Sequence, residues 1–263
     1  MSMLRFAADT AWGRVRLDLP SPDEHRDAVA HALAVEAAHG LIDALEQWGD
    51  AVLDVSPCTE VSDDAAVLAS ITDASLAPTG SRLALPWRWM AAAPRAVPPA
   101  LSGHGVSWER IPVICELARF DAAPLPANAL DDGGVLLLPP SFDAHWTLRL
   151  VSSILDMAMD APCTGLNSPW RLAVPPQAVD ASEQAWRVVL ADALLLHPLQ
   201  CLPGNDTTIH WPRQLAAHLL PPGSTEPVAR GRLMPALAGA ALWVAPAIRP
   251  APTQATTLDA QPA

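Results

Sequence analysis

The sequence predicts an α+β chain in three parts. An α/β N-terminal domain covers residues 1–100, a β-rich domain covers 101–245, and a flexible Pro/Ala/Thr-rich tail covers 246–263. Three observations lead there. An alternating run and an amphipathic helical pattern follow one another in residues 12–48. Residues 91–105 are rich in Ala, Pro and Gly and contain the pair Pro98-Pro99, which marks an internal boundary. Beyond it, short apolar runs recur between Gly, Pro and Asp turns, the pattern of a sheet rather than of helices.

Residues 12–19 (WGRVRLDL) place Trp12, Val15, Leu17 and Leu19 nearly on one face, as a half-buried strand does. A helix start follows. Ser21 can cap, Pro22 suits the first helical position, and Glu24 completes a capping box. The helix is expected to run to about Trp48, with Val29, Leu33, Ala37, Leu41 and Leu45 as its apolar stripe and Gly49 as the left-handed residue that ends it. Residues 51–55 read as a strand, 63–69 as a short helix, and 82–87 as a strand ended by Pro86. In the second part the expected strands are 111–118, 135–138, 146–151, 170–174, 228–233 and 241–244. Residues 186–196 (WRVVLADALLL) read as a strand leading into a short helix.

Composition excludes several classes of function. Hydrophobic residues make up 51% and charged residues 17%, which is a folding composition, not a disordered one. All 16 basic residues are Arg and the formal charge is −12. Phosphate backbones require the opposite sign, and Arg14/Arg16 and Arg230/Arg232 are only isolated pairs, so no nucleic-acid partner is expected. The first residues lack a signal peptide's apolar core, and the apolar region 233–248 falls short of the ~20 residues of a spanning helix, so no direct membrane insertion is expected. The chain reads as cytoplasmic. Cys58, Cys115, Cys163 and Cys201 form no CxxC pair, and Cys115 lies in an apolar run that suits a buried thiol.

No motif for chemistry survives inspection. There is no GxSxG, GxGxxG or GxxxxGK[ST], and Ser81 and Ser224 sit in turn contexts. Absence of Lys removes the P-loop cation and Schiff-base chemistry. Glu36 and His39 make one ExxH, where a di-iron bundle needs two and more carboxylates besides. His25 and His31 do not share that face; His145, His197 and His210 each adjoin a large apolar residue near an element end, where histidine is a structural donor. Asp131-Asp132 before Gly133-Gly134 reads as a turn, because adjacent carboxylates splay apart instead of facing across a substrate. The expectation is therefore no catalytic residue, no cofactor and no metal. With ten Trp, three Phe and no Tyr, Trp must supply most aromatic packing, yet Trp87 and Trp89 flank Arg88 and would point the same way in an extended segment. Trp87, Trp89, Val135 and Leu137 form the candidate interaction surface.

The layout of residues 111–150 resembles the cytoplasmic-ring, or sorting-platform, proteins of type III secretion (the HrcQ/SctQ family), relatives of the flagellar switch proteins that carry SPOA modules. The likeness lies in Ile111-Pro112-Val113, a leucine-marked link from Leu125 to Leu130, and Gly133 leading into Val135-Leu136-Leu137-Leu138-Pro139. Residues 228–233 (VARGRL) followed by 241–244 (ALWV) look like that family's closing strand pair. One position departs from the pattern: Gly134 stands where the family has Asp. The resemblance implies an SPOA-like second domain and a non-enzymatic scaffold within a hetero-oligomer. It also implies partners: an SPOA-domain protein, the secretion ATPase's stator and ring adaptor proteins, which would hold the chain at the cytoplasmic face of the inner membrane. Two alternatives belong to other classes: a cytosolic enzyme whose site is assembled from scattered residues such as His104, Glu109, Asp121 and His145, and an unrelated adaptor or chaperone-like protein.

Overall fold

The structure is a computed structural model, and it describes residues 2–21, 28–59, 65–120, 130–138, 146–152, 154–155, 157–163, 170–171, 177–178, 185–202, 208–210, 215–236 and 239–245. Strands dominate, in two large sheets. The first contains β1 (Met3–Thr10), β2 (Gly13–Pro20), β3 (Ser56–Pro57), β4 (Ala66–Ile71), β5 (Arg82–Pro86) and β6 (Val106–Trp108), in the order β3-β1-β2-β5-β4-β6. Every pairing in it is antiparallel. The opening is therefore an antiparallel hairpin followed by helices, where the sequence pattern suggested a single strand, a helix and a second strand. β1 has the same alternation as β2 but begins before Trp12, and Trp12 itself lies in the hairpin turn, 55% exposed. Val15, Leu17 and Leu19 are buried, as expected.

The helix is broken. α1 (Ala28–Ala37) and α2 (His39–Gly49) meet at 62° across Ala38. The reason is a loop pressed into the break: the Leu41 N–H donates to the Leu76 carbonyl at 2.8 Å, and any Cβ on Gly40 would stand 2.4 Å from the Ser75 oxygen. A foreign carbonyl entering the ladder bends a helix at that point. The bend also reassigns the buried face. Ala30, Ala34 and Ala38 face inward, while Val29 and Leu33 are 63% and 55% exposed, and Ala37 is exposed too. Leu41 and Leu45 are buried as expected, joined by Ile42, Ala44 and Trp48. Asp50, not Gly49, takes the left-handed conformation (φ 50°), its N–H bonded to the Glu46 carbonyl. Gly49 is small for a different reason: the Trp89 ring lies 2.7 Å from where its Cβ would be, edge-to-face on Trp48 at 5.2 Å.

Residues 51–55 are not a strand, since their Leu53 N–H is taken by the Glu46 side chain at 2.7 Å. Residues 66–69, read as helical, belong to β4, which buries Val67, Ala69 and Ile71 alternately. The Ala/Pro-rich stretch is packed, not loose. It contributes α3 (Trp87–Ala92) and α4 (Pro99–Ser102), and the fully buried Leu101 accepts a 2.9 Å hydrogen bond from the Trp108 indole. Since β6 joins the first sheet through β4, the change of sheet falls at residues 109–110.

The second sheet has ten strands: β7 (Ile111–Phe120), β8 (Val135–Leu137), β9 (Trp146–Ser152), β10 (Met157–Cys163), β12 (Gln177–Ala178), β13 (Trp186–Leu190), β14 (Leu194–Leu196), β16 (Ala216–Leu220), β17 (Ala229–Ala236) and β18 (Gly239–Val244). Their order is β12-β10-β9-β7-β13-β16-β17-β18-β8, with β14 paired to the first part of β7. β11 (Trp170–Arg171) and β15 (Thr208–Ile209) form a separate two-stranded ribbon. Residues 186–196 are thus two strands, followed by a 3-10 turn over Pro198–Cys201. Val113, Cys115, Leu117, Leu148, Leu150, Val188, Leu219, Leu233 and Leu242 line the buried face and are each at most 2% exposed. The remaining expected strand positions, residues 172–174, lie outside the described residues, as do Pro22, Glu24 and the tail. Among the described residues, no single helix is long and apolar enough to cross a membrane.

Candidate interaction surface

Two sequence stretches about a hundred residues apart meet at one end of the ten-stranded sheet. β8 pairs with β18 and β18 with β17, so Val135 lies opposite Trp243, Leu137 opposite Ala241, and Ala241 opposite Met234. Paired residues in an antiparallel ladder share a face. On this outer face Val135 is 50% exposed, Leu137 63%, Trp243 44% and Met234 40%, while Leu136 between them is buried. β8 is placed by the turn before it. Asp131 and Asp132 are exposed, the Gly134 N–H donates to the Asp131 carbonyl at 2.7 Å, and Gly133 supplies the left-handed residue (φ 81°). The turn reading of this acidic pair holds. Backbone bonds then tie the turn and strand to β18: Val244 N–H to Gly134 O at 2.8 Å and Leu138 N–H to Ala240 O at 3.1 Å. β8 ends the sheet, so its other edge has no strand partner among the described residues.

Of Trp87, Trp89, Val135 and Leu137, the last two are exposed, on one face of β8. Trp87 and Trp89 are 3% and 4% exposed and belong to α3, where they pack inward with Met90. The error was one of period: Trp-Arg-Trp shares a side only in an extended chain, and this segment turns helical directly after Pro86. Trp243 and Met234 went unnoticed. Both lie in strands expected from sequence, but only the register shows that they share the face of Val135 and Leu137.

The same outer face is polar further in. Register lines connect Arg230 (β17), His218 (β16), Val189 (β13), Glu116 (β7), Arg149 (β9) and Asp160 (β10). A β-bulge between Val188 and Val189 shifts the β13–β7 ladder, so Val188 faces Ala118 and Val189 faces Glu116. Leu117 and Ala118 are both buried as a result. The bulge also puts Glu116 and Arg119 on one face, although residues three apart in a regular strand point oppositely. Glu116 is 5% exposed, its Oε2 accepts from Arg119 Nη2 at 3.0 Å, and its Oε1 lies 3.6 Å from Arg187 Nη1. Arg187 also donates to the Ser224 carbonyl at 2.7 Å.

Among the described residues, no group of three or more His, Cys, Asp or Glu is placed to hold a metal ion. Glu36 and His39 fall on opposite sides of the helix break, both exposed, and His39 pairs with Asp43 at 3.3 Å. His31 packs edge-to-face on Phe6, and His210 is exposed. His104 and Glu109 are exposed as well; Asp121, His145 and His25 lie outside the described residues. His197 caps the 3-10 turn, its Nδ1 accepting from the Leu199 N–H at 3.3 Å, and burial followed by the nearby Arg110 charge lowers its pKa. Burial, then Arg230, lowers that of His218 against an opposing pull from Asp192. The Cys201 thiol is pushed up to about 12 by burial. Ser81 and Ser224 hold turns, bonding to Pro78 and to Glu226. A cleft of about 680 Å³ bordered by Arg5, His31, Cys58 and Thr59 includes neither His104 nor Glu109.

The chain matches no protein-family model, no curated protein and no solved structure.

Proposed function

We propose that this chain is a non-enzymatic structural component of the cytoplasmic ring, or sorting platform, of a type III protein secretion system, acting through protein–protein assembly. One observation carries the assembly part of the reading: the apolar patch of Val135, Leu137, Trp243 and Met234 at the terminal strand of the ten-stranded sheet. Large apolar side chains clustered on an open sheet edge mark a surface that another chain covers. The secretion part rests on the resemblance of residues 111–139 and 228–244 to that family, the two stretches that supply the patch. The partners this reading implies are an SPOA-domain protein, the secretion ATPase's stator and ring adaptors, and they would bring the protein to the cytoplasmic face of the inner membrane.

The test is affinity purification of the tagged protein from its native host, with mass spectrometry of what accompanies it. Recovery of those partners by the wild type, and their loss from a Val135→Asp/Leu137→Asp variant that stays folded, supports the reading. Val135 is 50% and Leu137 63% exposed, so the double variant is expected to fold. A clean wild-type protein from cells expressing the secretion system refutes it.

A further inference from the structure

The apolar patch carries opposite charges on its two sides. Its middle strand is β18, with β17 on one side and β8 on the other. On the β17 side Arg230 and Arg232 are both exposed and lead to Met234 at the two-residue spacing of one strand face. On the β8 side the turn into the strand presents the exposed Asp131. These charges lie level with each other along the sheet. The Gly133 N–H donates to the Val244 carbonyl at 3.1 Å, and the Ala245 N–H to the Arg230 carbonyl at 2.8 Å. Asp131 and Arg230 therefore flank the same end of β18, on opposite sides of it. Neither makes an ion pair among the described residues.

Such a pattern is complementary to itself. A two-fold axis along β18, in the plane of the outer face, exchanges the β8 side of one copy with the β17 side of another, so acid meets base and apolar meets apolar. We infer that the outer face of β17, β18 and β8 is a dimer interface, on which a second copy of this chain packs sheet to sheet about that axis. Aligned sheets pack face to face in this way at a separation of ~10 Å. Trp243 then meets its own counterpart near the axis, because β18 lies on it. Leu137 and Met234, level with each other on either side of Ala241, meet across the interface, and Asp131 faces the second copy's Arg230 in two equivalent contacts. The formal charge of −12 on each copy opposes approach, but salt at about 0.15 M screens that repulsion beyond ~8 Å while leaving the close pairs in place. A contact three strands wide is small for a dimer, which sets the expected dissociation constant at about 10–100 µM. The inference rests on the reading of the patch as a covered surface and names what covers it; it does not require the secretion system.

The test is sedimentation velocity of the full chain from about 5 to about 300 µM, a range that spans the expected dissociation constant. The wild type is expected to shift from monomer towards dimer as concentration rises. Asp131→Arg and Arg230→Asp each set like charges against each other in both contacts, and each is expected to weaken self-association about tenfold. Mixed in equal amounts, the two variants regain opposite charges in both contacts, and their heterodimer is expected to form within about twofold of the wild-type affinity. Both positions are exposed, so the variants are expected to fold, and rescue on mixing is a result that a misfolded chain cannot give. A wild type that stays monomeric throughout the range overturns the inference and leaves the patch to a different protein. A dimer that is indifferent to the charge reversals, or is not restored by mixing, places the contact elsewhere and overturns it as well. Neither result bears on co-purification of the secretion partners, and a purification without those partners leaves the dimer standing, so the two readings fail separately.

Discussion

Replacing Gly231 by alanine probes how closely β17 and β18 are packed beneath the apolar patch. Gly231 lies opposite Val244, and a Cβ there would stand 2.1 Å from the Trp243 carbonyl oxygen and 2.9 Å from Leu242 Cδ1. Contacts under 3.0 Å are essentially never made by a Cβ, and the nearest obstacle is backbone, which cannot rotate aside as a long side chain would. The strands must part locally. Losing two ladder hydrogen bonds costs about 1 kcal/mol each, and the added strain about 1–3 kcal/mol. Alanine's lower entropy in the unfolded chain returns only about 0.4–1 kcal/mol. The clash wins, and a net destabilisation of about 2–4 kcal/mol follows. Urea denaturation followed by tryptophan fluorescence, with the slope held in common, measures it directly. In a thermal scan the same loss lowers Tm by on the order of 10 °C. A variant within about 0.5 kcal/mol of wild type, the ordinary scatter of surface substitutions, would show that the two strands lie further apart and that the register argument for the patch is wrong.

Glu116→Gln should destabilise by about 1–3 kcal/mol, because two guanidinium groups lose their shared charge; the value is held below that of a fully buried pair since both arginines are 26% exposed. A neutral result in urea denaturation would mean that Glu116 does not organise the cluster. Cys201, its thiol raised to about 12, should resist iodoacetamide at pH 8 until the chain unfolds, whereas the half-buried Cys58 labels in the native state. Comparable labelling of both by mass spectrometry would contradict the burial. His197 titrates lower in the folded chain than in the unfolded one, so its contribution to stability is present above the unfolded value near 6.5 and is lost as pH falls through the lower folded value. His197→Asn keeps a capping side chain without the titration, and should flatten the part of the pH 7.5-to-5 stability profile that this histidine supplies. An unaltered acid limb would remove His197 from the account.

Much of the second sheet could be read in advance because its strands are short apolar runs closed by turn residues. Residues 111–118, 135–138, 146–151, 228–233 and 241–244 all fall within strands or extend one by a single residue. The same reasoning failed where size was mistaken for orientation. In an alanine-rich helix the large residues Val29 and Leu33 look like the core face, yet the small Ala30 and Ala34 are what the packed surface accommodates. The break at Ala38 depends on a carbonyl from Leu76, contributed by a loop far along the chain, and no local pattern carries that information. The surface was legible to the extent of Val135 and Leu137. Trp243 needed a register, and the partnership of Glu116 with Arg119 needed a bulge, because spacing alone assigns those two residues to opposite faces of β7.

The pairing of β8 with β18 has a consequence for the order in which the protein can be made. β8 leaves the ribosome with Leu137, and the strand that will hold it begins only at Gly239, roughly a hundred residues later. At a synthesis rate of roughly 5–20 residues per second, the interval is on the order of 5–20 s. The first sheet, whose strands all lie between Met3 and Trp108, can close during that time. The segment Val135-Leu136-Leu137 waits without its neighbour, a nascent apolar strand whose safe arrival depends on brevity: three residues offer too short a ladder for a stray chain to grip.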